Sequence, residues 1–272
     1  MTPPSELAVD PAKVADARDA GFVQSLQRGL AVIRAFDAEH PDLTLSDVAR
    51  TTGLPRAAAR RFLLTLVELG YVRVDDRRFR LTPRVLDLGH AYLSSLTLPE
   101  IALPYMRDLV AEIRESSSLC VLDGHHIVYV ARVPADRIMS VSISVGTRFP
   151  AFATSLGRVL LAGQPSAWLD DYLRQADLTP LTHRTVATHE GLAAEIERAR
   201  AQGWAIVDQE LEEGVRSLAA PIHDARGEVV AAINMSVHAS RWPLGHVKER
   251  LLPRLLETAS LIDRDARASS GA

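Results

Sequence analysis

The chain has 272 residues, 47% of them hydrophobic and 24% charged, with a formal net charge of −3. This composition is globular and excludes collagen-like, mucin-like and wholly disordered chains; at roughly 100–200 residues per domain it fits one large domain or two smaller ones. Only two lysines occur, Lys13 and Lys248, so a GxxxxGK[ST] phosphate loop is absent and no lysine is well placed for a pyridoxal Schiff base.

Residues 1–21 carry mixed charges and prolines without the apolar core of a signal peptide, and read as a disordered leader. No apolar run approaches the roughly 20 residues that cross a bilayer, so no membrane partner is expected. Cys120 is the single cysteine and forms no intrachain disulfide, which makes the cytoplasm the expected compartment. From Ser25, Leu26, Leu30, Ile33 and Phe36 recur at helical spacing. After the polar break 39–42, Thr44 is the predicted N-cap of a second helix, with Asp47 three residues on completing a capping box. Leu45, Val48 and Ala49 form that helix's inner face, and Gly53 ends it in a left-handed turn. Pro55 opens a third helix at the first helical position, where its missing N–H is harmless. The third helix turns Ala59, Phe62, Leu63, Leu66 and Leu69 inward. Arg56, Ala57, Arg60 and Arg61 point elsewhere, and Gly70 closes the helix. Residues 71–74, a polar turn, and residues 79–81 make a hairpin pattern. Three helices followed by a hairpin predict a winged helix-turn-helix over residues 22–82.

That segment holds ten arginines against seven acids, a net of +3, which leaves −6 on the remainder. A basic head on an acidic body points to a polyanion at the head. Thr82-Pro83 is a break, and residues 84–97 read as a helix with Val85, Leu86, Leu88, Leu93 and Leu96 spread around it. A helix apolar on several sides contacts more than its own domain. Residues 83–98 are therefore expected to be a linker helix packed on a partner subunit.

The body is placed at 99–268, with a tail at 269–272. It opens with an amphipathic helix, 100–115. Strands 119–122 and 127–133 flank a turn, and a cleanly alternating strand covers 138–145. A loop at 146–150 leads to helices 155–162, 165–175 and 189–202. Strands 205–207, 217–222 and 229–237 and a closing helix, 244–267, follow. Consecutive hairpins with helices gathered at the chain ends predict an α+β fold with an antiparallel sheet.

Taken together, SLQRGLAVIRAF, LTLSDVARTTGLPRAAARRFLLTLVELGYV and FPAFATSLGRVLLAG resemble the IclR family of bacterial transcription regulators, in order over both domains. GWAIVDQELEEGVRSLAAPI and AAINMSV resemble its subgroup controlling aromatic-acid catabolism through the β-ketoadipate pathway. The resemblance implies an N-terminal winged helix-turn-helix, a dimerising linker helix and a C-terminal GAF-like effector domain. It implies a homodimer or a dimer of dimers, with operator DNA and a small organic acid as partners and RNA polymerase as a candidate partner. The expected acid is aromatic or a β-ketoadipate-type dicarboxylate. Neither a cofactor nor a catalytic site is expected.

A recognition helix sets its N-terminal side chains against base edges in the major groove. Arg56, Arg60 and Arg61 are long donors suited to guanine, and Ala57 suits a thymine methyl. Gln27, Arg28, Thr44 and Ser46 lie at helix starts that can hold phosphates. Arg77 and Arg78 sit at the hairpin tip, within reach of an adjacent groove. Each arginine taken singly also reads as solvated surface; together, in this topology, they point to DNA.

In the body, the helix start at Ser155-Leu156 offers free N–H groups to a carboxylate, and Arg148 is placed to clamp a second one. The resemblance adds Ser217, Asn234 and Ser236 as pocket positions, and Ile138, Val141 and Phe149 as apolar lining. Asp208 is a further candidate whose role stays open, because the family's acid matches Val207 beside it. A metal sensor and a hydrolase remain as alternatives. The histidines lack a zinc spacing, GxSxG is absent, and Cys120 lies in an apolar strand.

Overall fold

The computed structural model describes residues 22–94, 97–135 and 143–269. The predicted leader, Leu96, Ile138, Val141, most of the strand 138–145 and residues 270–272 lie outside them. The chain divides into two compact units between Leu93 and Ser94.

In the first unit, α1 (Gln24–Arg34) precedes a short strand β1 (Asp42–Thr44), then α2 (Leu45–Thr52) and α3 (Arg56–Glu68). The hairpin β2 (Val72–Asp75) and β3 (Arg78–Leu81) completes an antiparallel sheet of order β1-β3-β2. Thr44 caps α2 in a reciprocal capping box with Asp47, and Gly53 ends it at φ +66°. Both features follow from local chemistry: a hydroxyl and a carboxylate satisfy two orphan N–H groups, and glycine carries no Cβ to clash in the left-handed turn. Val32, Val48, Ala59, Leu63, Val72 and Phe79 form the core.

Four points differ from expectation. Pro55 is the N-cap residue, one place before the helix. Leu69 is 49% exposed, and on α1 Leu26 and Leu30 are 63% and 47% exposed while Val32 is buried. The strand β1 was not anticipated; three residues are too few to show a period of two. The expected single helix over 84–97 is a 3₁₀ turn, Pro83–Leu86, followed by α4 (Asp87–Ser94). Thr97 and Leu98 already belong to the next helix, α5 (Thr97–Ile113).

Among the described residues, the second unit forms a six-stranded antiparallel sheet of order β6-β5-β4-β9-β8-β7. Its strands are β4 (Ser116–Asp123), β5 (His126–Val133), β6 (Arg148–Pro150), β7 (Ala205–Asp208), β8 (Val215–His223) and β9 (Val229–His238). On one face Leu119, Leu218, Ile222, Ile233 and Met235 meet α5 and the closing helix α9 (Leu252–Ser269). That helix is preceded by a helical turn, Leu244–His246, and a π-helical turn, Val247–Leu251. On the other face Cys120, Ile127, Tyr129, Ala219 and Ala232 meet α6 (Ser155–Ala162), α7 (Ser166–Gln175) and α8 (His189–Gln202). The side chains of each strand alternate between these two apolar layers, so a register position decides which layer a residue joins.

Candidate DNA-contacting surface and ligand cavity

On α3, Ala59, Leu63 and Leu66 are buried, and Arg56, Ala57, Arg60 and Arg61 are exposed at and near its N-terminus. Arg56 Nη1 donates to Ser46 Oγ at 2.9 Å, which joins the first turns of α2 and α3. Gln27, Arg28 and Ser46 are exposed. Thr44 is half-buried with its hydroxyl committed to the cap: Oγ1 accepts the Asp47 N–H at 3.3 Å and donates to Asp47 Oδ2 at 2.7 Å. The Thr44 hydroxyl and backbone N–H, both donated to Asp47 Oδ2, with Arg50 beside them, hold the Asp47 carboxyl below its ordinary value.

At the wing, Arg77 stands at the hairpin tip at φ +70°. Arg78 instead lies along the sheet, where Nη1 donates to Asp42 Oδ1 at 2.7 Å while Arg80 Nη2 donates to Asp42 Oδ2 at 2.9 Å. These hydrogen bonds, Arg80 first, draw the Asp42 carboxyl below its ordinary range.

The second unit holds a cavity of about 310 Å³ between the sheet and α6. Apolar Tyr129, Ile143, Phe149 and Leu156 and polar Ser155, Ser217, Asn234 and Ser236 line it. The Tyr129 and Phe149 rings meet edge to face, with centroids 5.9 Å apart. Burial pushes the Tyr129 hydroxyl pKa up, so the phenol stays neutral. Thr154 caps α6 by accepting the Gly157 N–H at 3.0 Å. The Ser155 and Leu156 amides precede any intrahelical partner. Gly157 permits a close approach: a Cβ there would lie 2.0 Å from the Ala151 carbonyl oxygen. Ser155 Oγ donates to Ser217 Oγ at 2.9 Å, and Asn234 Nδ2 donates to Ser236 Oγ at 3.1 Å.

Ser155, Leu156, Phe149, Ser217, Asn234 and Ser236 are thus brought together. Arg148 and Asp208 are not. Arg148 Nη1 donates to Asp123 Oδ2 at 2.5 Å, and Asp208 Oδ1 accepts from Arg216 Nε at 2.9 Å. Alternation explains both corrections. Arg148 pairs with Val128 and Asp208 with Arg216, whereas their neighbours Phe149 and Val207 face the cavity. Arg148 and Asp208 therefore project from the opposite face of the sheet.

Tyr129, Thr154, Leu181, Leu211 and Glu212 also line the cavity and were not anticipated. Thr154 was legible as a threonine directly before a helical pattern, the N-cap position, and Tyr129 shares its strand face with Ile127. Leu181, Leu211 and Glu212 come from loops without a period. Behind the cavity, Arg158 of α6 is 1% exposed. It donates to Glu210 Oε2 at 2.7 Å and Glu195 Oε2 at 3.3 Å. Glu210 Oε2 also accepts the Val186 N–H at 3.0 Å.

Cys120 is fully buried, and desolvation holds its thiol well above the ordinary range, unlike a reactive thiolate. Among the described residues, no cluster of three or more His, Cys, Asp or Glu side chains could hold a metal, and no helix is long and apolar enough to cross a membrane.

A winged helix-turn-helix carrying arginines on its third helix, in one chain with a separate cavity-bearing unit, defines the class: a DNA-binding transcriptional regulator. The IclR helix-turn-helix domain matches residues 25–76, and the C-terminal domain of bacterial transcriptional regulator IclR matches residues 90–264. The chain belongs to the IclR family. It is 46% identical to the Pca regulon regulatory protein of Pseudomonas putida, over 94% of this chain and 88% of that one. It is 33% identical to the p-hydroxybenzoate hydroxylase transcriptional activator of Acinetobacter baylyi, over 90% and 92%. A crystal structure of an IclR homologue from Microbacterium hydrocarbonoxydans complexed with 4-hydroxybenzoate superposes with a TM-score of 0.78, at 27% identity, over 90% and 99% of the two chains.

Proposed function

We propose that this regulator controls genes of aromatic-acid breakdown and that an aromatic carboxylic acid bound in the cavity changes its affinity for operator DNA. The observation that carries this reading is the cavity's mixed lining: aromatic and aliphatic side chains together with hydroxyls and a helix N-terminus. A ring packs against Tyr129, Ile143 and Phe149, and its carboxylate meets the hydroxyls and the Ser155 and Leu156 amides. The relatives above, one named as an activator of p-hydroxybenzoate hydroxylase and one holding 4-hydroxybenzoate, support an acid of this kind. With Arg148 turned away, the expected second clamp is missing from this wall, which favours a ring monocarboxylate over a dicarboxylate such as β-ketoadipate.

Arg56, Arg60 and Arg61 read bases, and Gln27, Arg28, Ser46 and Arg77 hold the backbone. The regulator works as a homodimer or dimer of dimers in the cytoplasm, with RNA polymerase a candidate partner. Exposed Leu26, Leu30, Leu86, Leu88 and Tyr92 supply apolar surface for the second copy. A coupling of about 1–3 kcal/mol between ligand and DNA shifts operator affinity by about 5–150-fold. Calorimetry with 4-hydroxybenzoate, then operator titrations with and without it, tests the reading. Saturable 1:1 binding per chain and a shifted operator affinity are expected. Absence of acid binding, or bound acid without effect on DNA, overturns it.

A further inference from the structure

Asn234 is 3% exposed, and its amide is held at both ends. Oδ1 accepts the Ser118 backbone N–H at 3.0 Å, a bond only the oxygen of the amide can make. That contact sets the orientation of the group, so Nδ2 is the atom 3.1 Å from Ser236 Oγ and must be the donor there. Nδ2 has no acceptor to offer in return. The Ser236 hydroxyl proton therefore points away from Asn234, on a residue that lines the cavity. Ser217 stands in the same position on the neighbouring strand. It is the direct register partner of Ser236, and its Oγ receives the Ser155 hydroxyl at 2.9 Å. Directly opposed residues have Cβ atoms about 4.5–5.5 Å apart, so one carboxylate can lie between the two hydroxyls.

We propose that Asn234 is a positioning residue for carboxylate recognition: it holds Ser236 as a proton donor, paired with Ser217, and so makes the cavity prefer an anionic acid to the corresponding neutral amide. This rests on the reading of the cavity as an aromatic-acid site and names what sets its selectivity. Oδ1 is held by the Ser118 N–H and one Nδ2 hydrogen by Ser236, so the amide is fixed in place and shapes recognition through the hydroxyl it orients.

The test compares 4-hydroxybenzoate with 4-hydroxybenzamide by calorimetry on the full chain. In Asn234→Asp the side chain keeps its contact with the Ser118 N–H, but its second oxygen accepts the Ser236 proton and adds negative charge behind the hydroxyl. Acid affinity is expected to fall about 10-fold to 100-fold, the worth of one charge-assisted hydrogen bond, while amide affinity changes by less than about threefold. Ser236→Ala, which removes the donor without adding charge, should cut the acid-over-amide preference by about 10-fold. Equal weakening of acid and amide in Asn234→Asp overturns the assignment. An undiminished acid preference in Ser236→Ala also overturns it, even if the aspartate variant fails to fold. Wild-type protein that binds neither compound overturns the cavity reading itself, and this assignment with it.

Discussion

Replacing Gly157 by alanine probes how α6 is seated. The added Cβ would stand 2.0 Å from the Ala151 carbonyl oxygen and 2.5 Å from its carbonyl carbon and Cα. All three atoms are backbone, so no side chain can rotate out of the way. Ordinary contact begins near 3.4 Å, so the 3₁₀ turn Ala151–Ala153 and the helix must separate by roughly 1.4 Å, a change on the scale of overpacking. That turn is anchored, because the Ala151 N–H donates to the His125 carbonyl at 3.0 Å. It also leads into Thr154, the cap of α6. Overpacking that forces backbone shifts costs about 1–3 kcal/mol, and a disturbed cap adds about 1 kcal/mol. At about 2–4 °C per kcal/mol for a unit of this size, the Tm should fall by about 4–16 °C. Calorimetric unfolding of the full chain measures it. Gly245→Ala is the control, since a Cβ there meets nothing within 4 Å. Displacement of the Ser155 and Leu156 amides should also weaken 4-hydroxybenzoate about 10-fold or more. A Gly157→Ala protein with wild-type Tm and wild-type acid affinity would refute the steric argument.

Four further outcomes follow from the geometry. Arg56→Ala should cost about 1–3 kcal/mol of operator affinity and relax specificity at one base pair, measured by gel-shift titration against single-base operator variants; uniform weakening on every sequence would instead mark a phosphate contact. Arg148→Ala should leave 4-hydroxybenzoate affinity within about twofold, as for a surface substitution, because its guanidinium is held by Asp123; a large loss seen by calorimetry would return it to the site. In the N-terminal unit, Thr44→Ala should remove about 1 kcal/mol of stability by denaturant unfolding. Asp42 and Asp47 both have folded pKa values below their unfolded value near 4, so their contribution is complete above that pH and is lost as the pH falls through the lowered values. Acid unfolding followed by circular dichroism should therefore begin below about pH 4 and be less steep in Asp42→Asn.

The residues most legible in the sequence were those governed by contacts a few positions away. Thr44 and Asp47 form their capping box, and Gly53 its left-handed turn, whatever the rest of the chain does. The paired carboxylate clamp was misjudged for a reason that lies in one short strand. Residues 148–150 read as a loop, which left Arg148 free to face the ligand; as β6 they alternate, and Phe149 takes the inward place. Asp208 follows the same rule beside Val207. The loop residues Leu181, Leu211 and Glu212 were out of reach because their place in the wall depends on contacts distant in sequence. The Ser118–Asn234 bond, which joins residues 116 apart, was equally invisible.

The buried Arg158–Glu210 pair has a consequence in time. Leu211 and Glu212, which form part of the cavity wall, follow Glu210 directly, so swinging this rim outward draws Glu210 away from a guanidinium that is only 2% exposed. Arg158 keeps Glu195 as a partner at 3.3 Å, so the loss is that of one charge-assisted hydrogen bond, about 1.5–3 kcal/mol, which makes the opened rim about 10-fold to 150-fold rarer than the closed one. Any exchange of a bound acid that requires this rim to open is slowed by the same factor. How long the regulator retains a captured ligand after the surrounding concentration drops is then governed by an ion pair that never touches it.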